Sequence, residues 1–135
     1  LNTIRPKNGS TVARALFIVD SDVSVREGLA RLAASAGFEA KPCASAEAFL
    51  VAAGSGTAAC ALVDICAIEL RDPALRARLI AVATFLPIIA LSARDDPQAQ
   101  RTARELGARA FFRKPVDAAA LLDSIDWVTR KDKPA

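Results

Sequence analysis

The sequence predicts a doubly wound α/β domain: five βα units in series, forming an open five-stranded parallel sheet with helices on both faces. Three observations lead there. Short apolar runs recur along the chain, at 15–19, 60–63 and 88–91, and runs without polar alternation suit strands buried on both faces. Between them lie stretches with apolar residues at helical spacing, opened by capping residues. With 135 residues, 53% of them hydrophobic and 24% charged, the chain has the size and composition of one globular domain. Alternating strands and helices then imply a parallel sheet with right-handed crossovers.

Each element has its own signal. Residues 1–13 show no periodicity and read as a mobile leader, 14–129 as the domain, and 130–135 as a basic tail or linker. The run 15–19 is a central strand ending in Asp20. Asp22 or Ser21 can cap a helix whose stripe is Val25, Leu29, Leu32 and Ala36, with Gly37 placed as its terminal glycine. Residues 38–41 form a weak, edge-like strand closed by Pro42, and Ser45 caps a helix with Phe49, Leu50 and Ala53 inward. Gly54-Ser55-Gly56 breaks that helix; it follows a helix instead of a strand, so it reads as a turn and not a phosphate loop. The third strand, 60–63, ends in Asp64. Asp72-Pro73 opens a helix lined by Leu75, Leu79 and Val82, proline suiting the first helical position. The fourth strand, 88–91, ends at Ser92; Asp96-Pro97 opens a helix with Ala99, Ala103 and Leu106 inward and Gly107 as its stop. Residues 110–112 are the fifth strand, and Asp117 caps a last helix with Leu121, Ile125 and Val128 inward.

Composition excludes several functions. The chain has no His, which removes histidine triads, histidine general bases and ordinary histidine metal sites. Its three cysteines, Cys43, Cys60 and Cys66, include no C-x-x-C pair, so neither a disulfide framework nor a zinc site is expected. Free thiols fit a reducing compartment, here the cytoplasm. The longest apolar stretch, 81–91, is interrupted by Pro87 and is too short to span a bilayer. A net charge of +3 without a dense Lys/Arg block, and only one Trp and no Tyr, argue against nucleic-acid binding by this domain.

Ligands of open parallel sheets bind beyond the carboxyl ends of the strands. There the sequence places Asp20-Ser21-Asp22, Asp64, Ser92-Ala93 and Lys114-Pro115. Carboxylates on neighbouring strands repel unless a cation lies between them, and a few oxygens around one hard ion suit Mg²⁺. A lysine converging on them would neutralise further charge. This set fits phosphoryl transfer with a carboxylate nucleophile.

The segments FIVDSD (17–22), ALVDI (61–65), IIALSA (88–93) and FFRKP (111–115) resemble the receiver domain of bacterial two-component response regulators. Their spacings match as well: 44 residues from Asp20 to Asp64, 28 to Ser92 and 22 to Lys114. Residues 25–50 further resemble the subfamily often fused to a DNA-binding domain. The resemblance implies a flavodoxin-like (βα)₅ fold with strand order 2-1-3-4-5. It implies Asp64 as phosphoacceptor, Asp20 as one metal-binding acid, Ser92 as the switch hydroxyl, Ala93 as the small residue beside it and Lys114 as the partner of the phosphoryl group. It also implies Phe111 as the aromatic switch, a cis bond before Pro115, and the Cys66 backbone carbonyl in a Mg²⁺ shell.

The implied partners are a histidine kinase or phosphotransfer protein, with a homodimer or output contact through the fourth helix, fifth strand and fifth helix, where Leu122 and Trp127 turn partly outward. The implied chemistry is self-phosphorylation, not turnover of an outside substrate. The sequence departs from the family at Ser21, where a second acid is usual, leaving Asp22 or Ser21 as the further metal ligand. It departs again in the loop 65–71, which lacks the usual Met-Pro and Gly. These departures define a second reading, a non-phosphorylated receiver acting as an interaction module. A third, a flavin- or nucleotide-binding domain, lacks a phosphate loop after the first strand.

Overall fold

The computed structural model describes residues 14–54, 58–66 and 71–131. The predicted leader, residues 132–135 of the tail, Ser55-Gly56 of the turn and residues 67–70 of the departing loop lie outside the described residues. Ten elements alternate in chain order: β1 (Ala15–Val19), α1 (Val23–Ser35), β2 (Glu39–Cys43), α2 (Ala46–Ala53), β3 (Cys60–Asp64), α3 (Pro73–Ala83), β4 (Ile88–Ser92), α4 (Pro97–Leu106), β5 (Ala110–Arg113) and α5 (Ala118–Lys131). All strand pairs are parallel and the order is β2-β1-β3-β4-β5, as the resemblance implies.

Alternation along each strand divides the core into two layers, because successive side chains point to opposite faces. Phe17, Val19, Ala61 and Val63 pack with Phe49, Leu79 and Leu106 of α2, α3 and α4. Leu16, Ile18, Cys60 and Leu62 pack on the other face with Leu29, Leu121 and Ile125 of α1 and α5. The Phe17 and Phe49 rings meet edge-on, centroids 5.2 Å apart and planes at 71°. Complete burial of β1, β3 and β4 explains why these three read as continuous apolar runs.

Caps fix where helices begin. Asp22, Ser45, Asp72 and Asp96 accept backbone N–H bonds from Val25, Ala48, Ala74 and Ala99, satisfying donors the first turn leaves open. Gly37 and Gly107 have φ of 93° and 84°, the left-handed backbone that glycine adopts at helix ends without a Cβ clash. Asp117 precedes α5 and its carbonyl accepts from the Leu121 N–H at 3.0 Å.

Several predicted details are corrected. The second strand does not close at Pro42 but runs through it to Cys43, pairing Pro42 with Ile18. Proline is tolerated because β2 is an edge strand, which pairs along only one side. Ala36 is not part of the buried stripe of α1. The helix ends at Ser35, Ala36 is its exposed C-cap, and Ala33 takes the buried position. In α3 the half-buried Val82 flanks the more deeply buried Ala83. The last helix extends to Lys131, and Arg130, assigned to the tail, pairs with Asp126 one turn back.

Candidate functional site

The register brings three predicted residues into one cluster. Asp20 and Asp64 end or follow the adjacent strands β1 and β3, and Lys114 follows β5. Lys114 Nζ donates to Asp20 Oδ2 at 2.7 Å and to Asp64 Oδ2 at 3.2 Å. Asp20 and Asp64 retain 2% and 9% exposure, so two carboxylates share one ammonium away from bulk water. Burial alone would push the Lys114 ammonium toward the neutral form. The hydrogen bond to Asp20 and the charges of Asp64 and Asp20 outweigh it and hold its pKa above the ordinary lysine value.

The remaining carboxylate oxygens are anchored by backbone. Asp20 Oδ1 accepts from Asp22 N–H at 2.9 Å, and Asp64 Oδ1 from Cys66 N–H at 2.9 Å. Arg26, on the first turn of α1, donates to the Asp20 carbonyl at 2.7 Å, tying the end of β1 to the helix that follows. Sequence reasoning did not single out Arg26; its position six residues after Asp20, inside a capped first turn, was the only signal.

Ser92 is fully buried; its Oγ accepts from Arg94 N–H at 3.0 Å and lies 3.2 Å from Cys66 Sγ. Cys66 is an exposed free thiol, while Cys43 and Cys60 are buried; burial pushes the Cys43 thiol pKa up, against the charge of Arg26. Phe111 is half-buried against the α2-α3-α4 layer and Phe112 against the α1-α5 layer. The Lys114-Pro115 bond is cis. Asp22 is turned into the cap of α1 and is exposed, as is Ser21.

Magnesium fits this donor set. A carboxylate offers about four lone-pair sites, and Asp20 and Asp64 each use one on an amide and one on Lys114. Mg²⁺ is commonly held by one or two carboxylates while keeping several waters, so Asp20 and Asp64 would hold it. Among the described residues no cluster of three His, Cys, Asp or Glu gathers.

Two buried acids bridged by one lysine therefore lie beyond the carboxyl ends of a parallel sheet's strands, the place where open α/β sheets bind their ligands. A family model described as the response regulator receiver domain matches residues 16–126, and the chain belongs to that family. It is 35% identical over 119 residues to the transcriptional regulatory protein TdiR of Thauera aromatica, covering 88% of this chain and 51% of the relative. It is 29% identical to the transcriptional regulatory protein FixJ of Bradyrhizobium diazoefficiens, covering 89% and 58%. The chain thus spans about half the length of the curated relatives it matches. Among solved structures, the response regulator StyR is 31% identical with a TM-score of 0.71, covering 90% of this chain and 61% of that one. A CheY-like receiver domain from Methanospirillum hungatei shares the fold at a TM-score of 0.76 and 21% identity, covering 90% and 97%. The protein is a receiver domain of the two-component response-regulator type, a signalling domain. Among the described residues no helix is long and apolar enough to cross a membrane.

Proposed function

We propose that the domain accepts a phosphoryl group on Asp64 from a phosphohistidine of a histidine kinase or phosphotransfer protein in the cytoplasm, and that this biases the α4-β5-α5 surface. The reading is carried by the cluster in which Lys114 joins Asp20 and Asp64 at 2.7 and 3.2 Å. In the reaction an Asp64 oxygen attacks phosphorus and the P–N bond to the donor imidazole breaks. The bonding pair leaves on that nitrogen. Lys114, already bonded to Asp64 Oδ2, is placed to follow the charge onto a phosphoryl oxygen. Ser92 presents a hydroxyl from the neighbouring strand, and the small Ala93 leaves room beside it. A bound Mg²⁺ would offset the charge on the transferring oxygens. The reaction ends with the domain itself modified, so it is not turnover of an outside substrate.

Phosphorylation adds about −1.5 to −2 charges, and a switch needs two surface states that bind it differently. Ser92 and Phe111 are the residues through which that difference would reach α4 and β5. A second reading, an interaction module that is not phosphorylated, draws support from Ser21 and the low acid count. A small phosphodonor with Mg²⁺ separates the two. The first reading expects one acid-stable, base-labile phosphoryl group per chain, abolished by Asp64→Ala. Labelling that persists in Asp64→Ala would overturn the assignment of Asp64, and no labelling of a folded wild-type domain would favour the interaction module.

A further inference from the structure

Beside the acid cluster, on the flank of Asp64 that carries Cys66 and Ser92, a pocket of about 200 Å³ opens between the β4-α4 connection, α4 and the start of α3. Neither Asp20 nor Lys114 lines it. Its lining residues instead include three arginines, Arg71, Arg76 and Arg94. Gln98 and Thr102 of α4 add neutral polar groups. Arg76 pairs with Glu105 and Arg94 with Asp96, both carboxylates substantially exposed; Arg71 has no carboxylate partner among the described residues. The stretch of sequence from which most of the pocket is built has the same sign. Residues 71–113 contain eight arginines and four acids, a net +4 against +3 for the whole chain, so residues outside this span sum to −1.

We infer that this pocket is a binding site for a small phosphate-bearing anion, distinct from the Asp20-Asp64-Lys114 cluster, and the inference does not rest on phosphorylation of Asp64. Guanidinium groups recognise phosphate through planar, paired N–H donors and stay charged at any physiological pH. At about 200 Å³ the pocket is smaller than the sites typical of drug-sized molecules, which run from about 300 Å³ upward, and it has room for inorganic phosphate or a short phosphate ester. Arg71, without a carboxylate partner among the described residues, is the anchor, while Arg76 and Arg94 exchange an exposed carboxylate for the ligand. Exposed ion pairs are weak, typically about 0–1 kcal/mol, so that exchange costs little. Cys66 lines the pocket and its N–H donates to Asp64 Oδ1 at 2.9 Å, so an occupant would place its charge near the phosphoacceptor and disfavour its loading.

The test is amide chemical-shift titration of the metal-free full chain with inorganic phosphate and, separately, with glycerol 3-phosphate. Saturable shifts centred on Arg94, Ala99 and Thr102 are expected, weakening with added salt. Arg71→Gln should weaken binding by about tenfold or more, the effect of one lost charge-assisted bond, and Arg71→Lys should restore part of it. Asp64→Asn should leave the affinity unreduced. A tighter midpoint for glycerol 3-phosphate than for phosphate would identify the natural occupant as an ester, and the reverse would identify the free ion. Shifts confined to the surroundings of Asp64 and Lys114 and indifferent to Arg71→Gln would overturn the inference. So would the absence of saturable shifts in a wild-type chain whose amide spectrum shows it folded.

Discussion

Replacing Lys114 with Met removes the cation shared by two buried carboxylates. Asp20 and Asp64 have side-chain exposures of 1% and 11%, and Lys114 of 18%. Removing one partner of a buried ion pair typically costs about 3–5 kcal/mol, because the other charge stays behind uncompensated. Here two charges stay behind, but the partial exposure of Lys114 and Asp64 admits water, which places the expected cost near the lower end, about 3 kcal/mol. For a domain between the sizes usually tabulated, each kcal/mol moves Tm by roughly 4 °C, so the expected loss is about 12 °C. The assay is thermal unfolding at pH 7 in metal-free buffer, followed by circular dichroism. Asp64→Asn in the Lys114→Met background should recover part of the loss, since one like charge is then gone; this closes a double-mutant cycle. An unchanged Tm at pH 7 would refute the account of the site as two acids held by one ammonium.

Three further outcomes are expected. The pKa of Lys114 is raised in the folded state, so its contribution to stability is fully present below the unfolded lysine value, about 10.4, and is lost as pH rises through the folded value. Denaturant midpoints from pH 9 to 12 should show an alkaline decline that is smaller in Lys114→Met. Ser21→Asp should tighten Mg²⁺ binding by about tenfold, on the order of 1.4 kcal/mol for an added charge at a hard-cation site; an unchanged midpoint in a magnesium titration would show that residue 21 does not face the metal. Trp127 is 51% exposed and Leu122 half-buried, so Trp127→Ser should change Tm little while weakening any self-association or partner binding through α4-β5-α5. A large fall in Tm with association unchanged, measured by sedimentation, would show Trp127 to be a packing residue.

The sequence by itself determined the order and type of all ten elements. Strands buried on both faces carry no polar residues, so 15–19, 60–63 and 88–91 stand out as uninterrupted runs, and side-chain caps at Ser45, Asp72 and Asp96 mark helix starts by local hydrogen bonding alone. It also made Asp20, Asp64, Ser92 and Lys114 conspicuous, because each falls just past a strand in a fold that places ligands there. The ends of the edge elements were not legible: whether Pro42 ends β2 depends on which side of that strand pairs, and whether Ala36 is buried depends on where α1 stops against its neighbours. Only the tertiary structure decided that one lysine bridges both acids, across sequence separations of 94 and 50 residues. Only it decided that Asp22 and not Ser21 caps α1, and that Arg26 fastens the end of β1. The arginine pocket belongs to the same category. Arg71, Arg76 and Arg94 are dispersed among eight arginines between residues 71 and 113, and charge carries no periodicity that reveals which of them face one another. Their convergence follows from the packing of α3 beside α4, a distance relation between elements that no local pattern encodes.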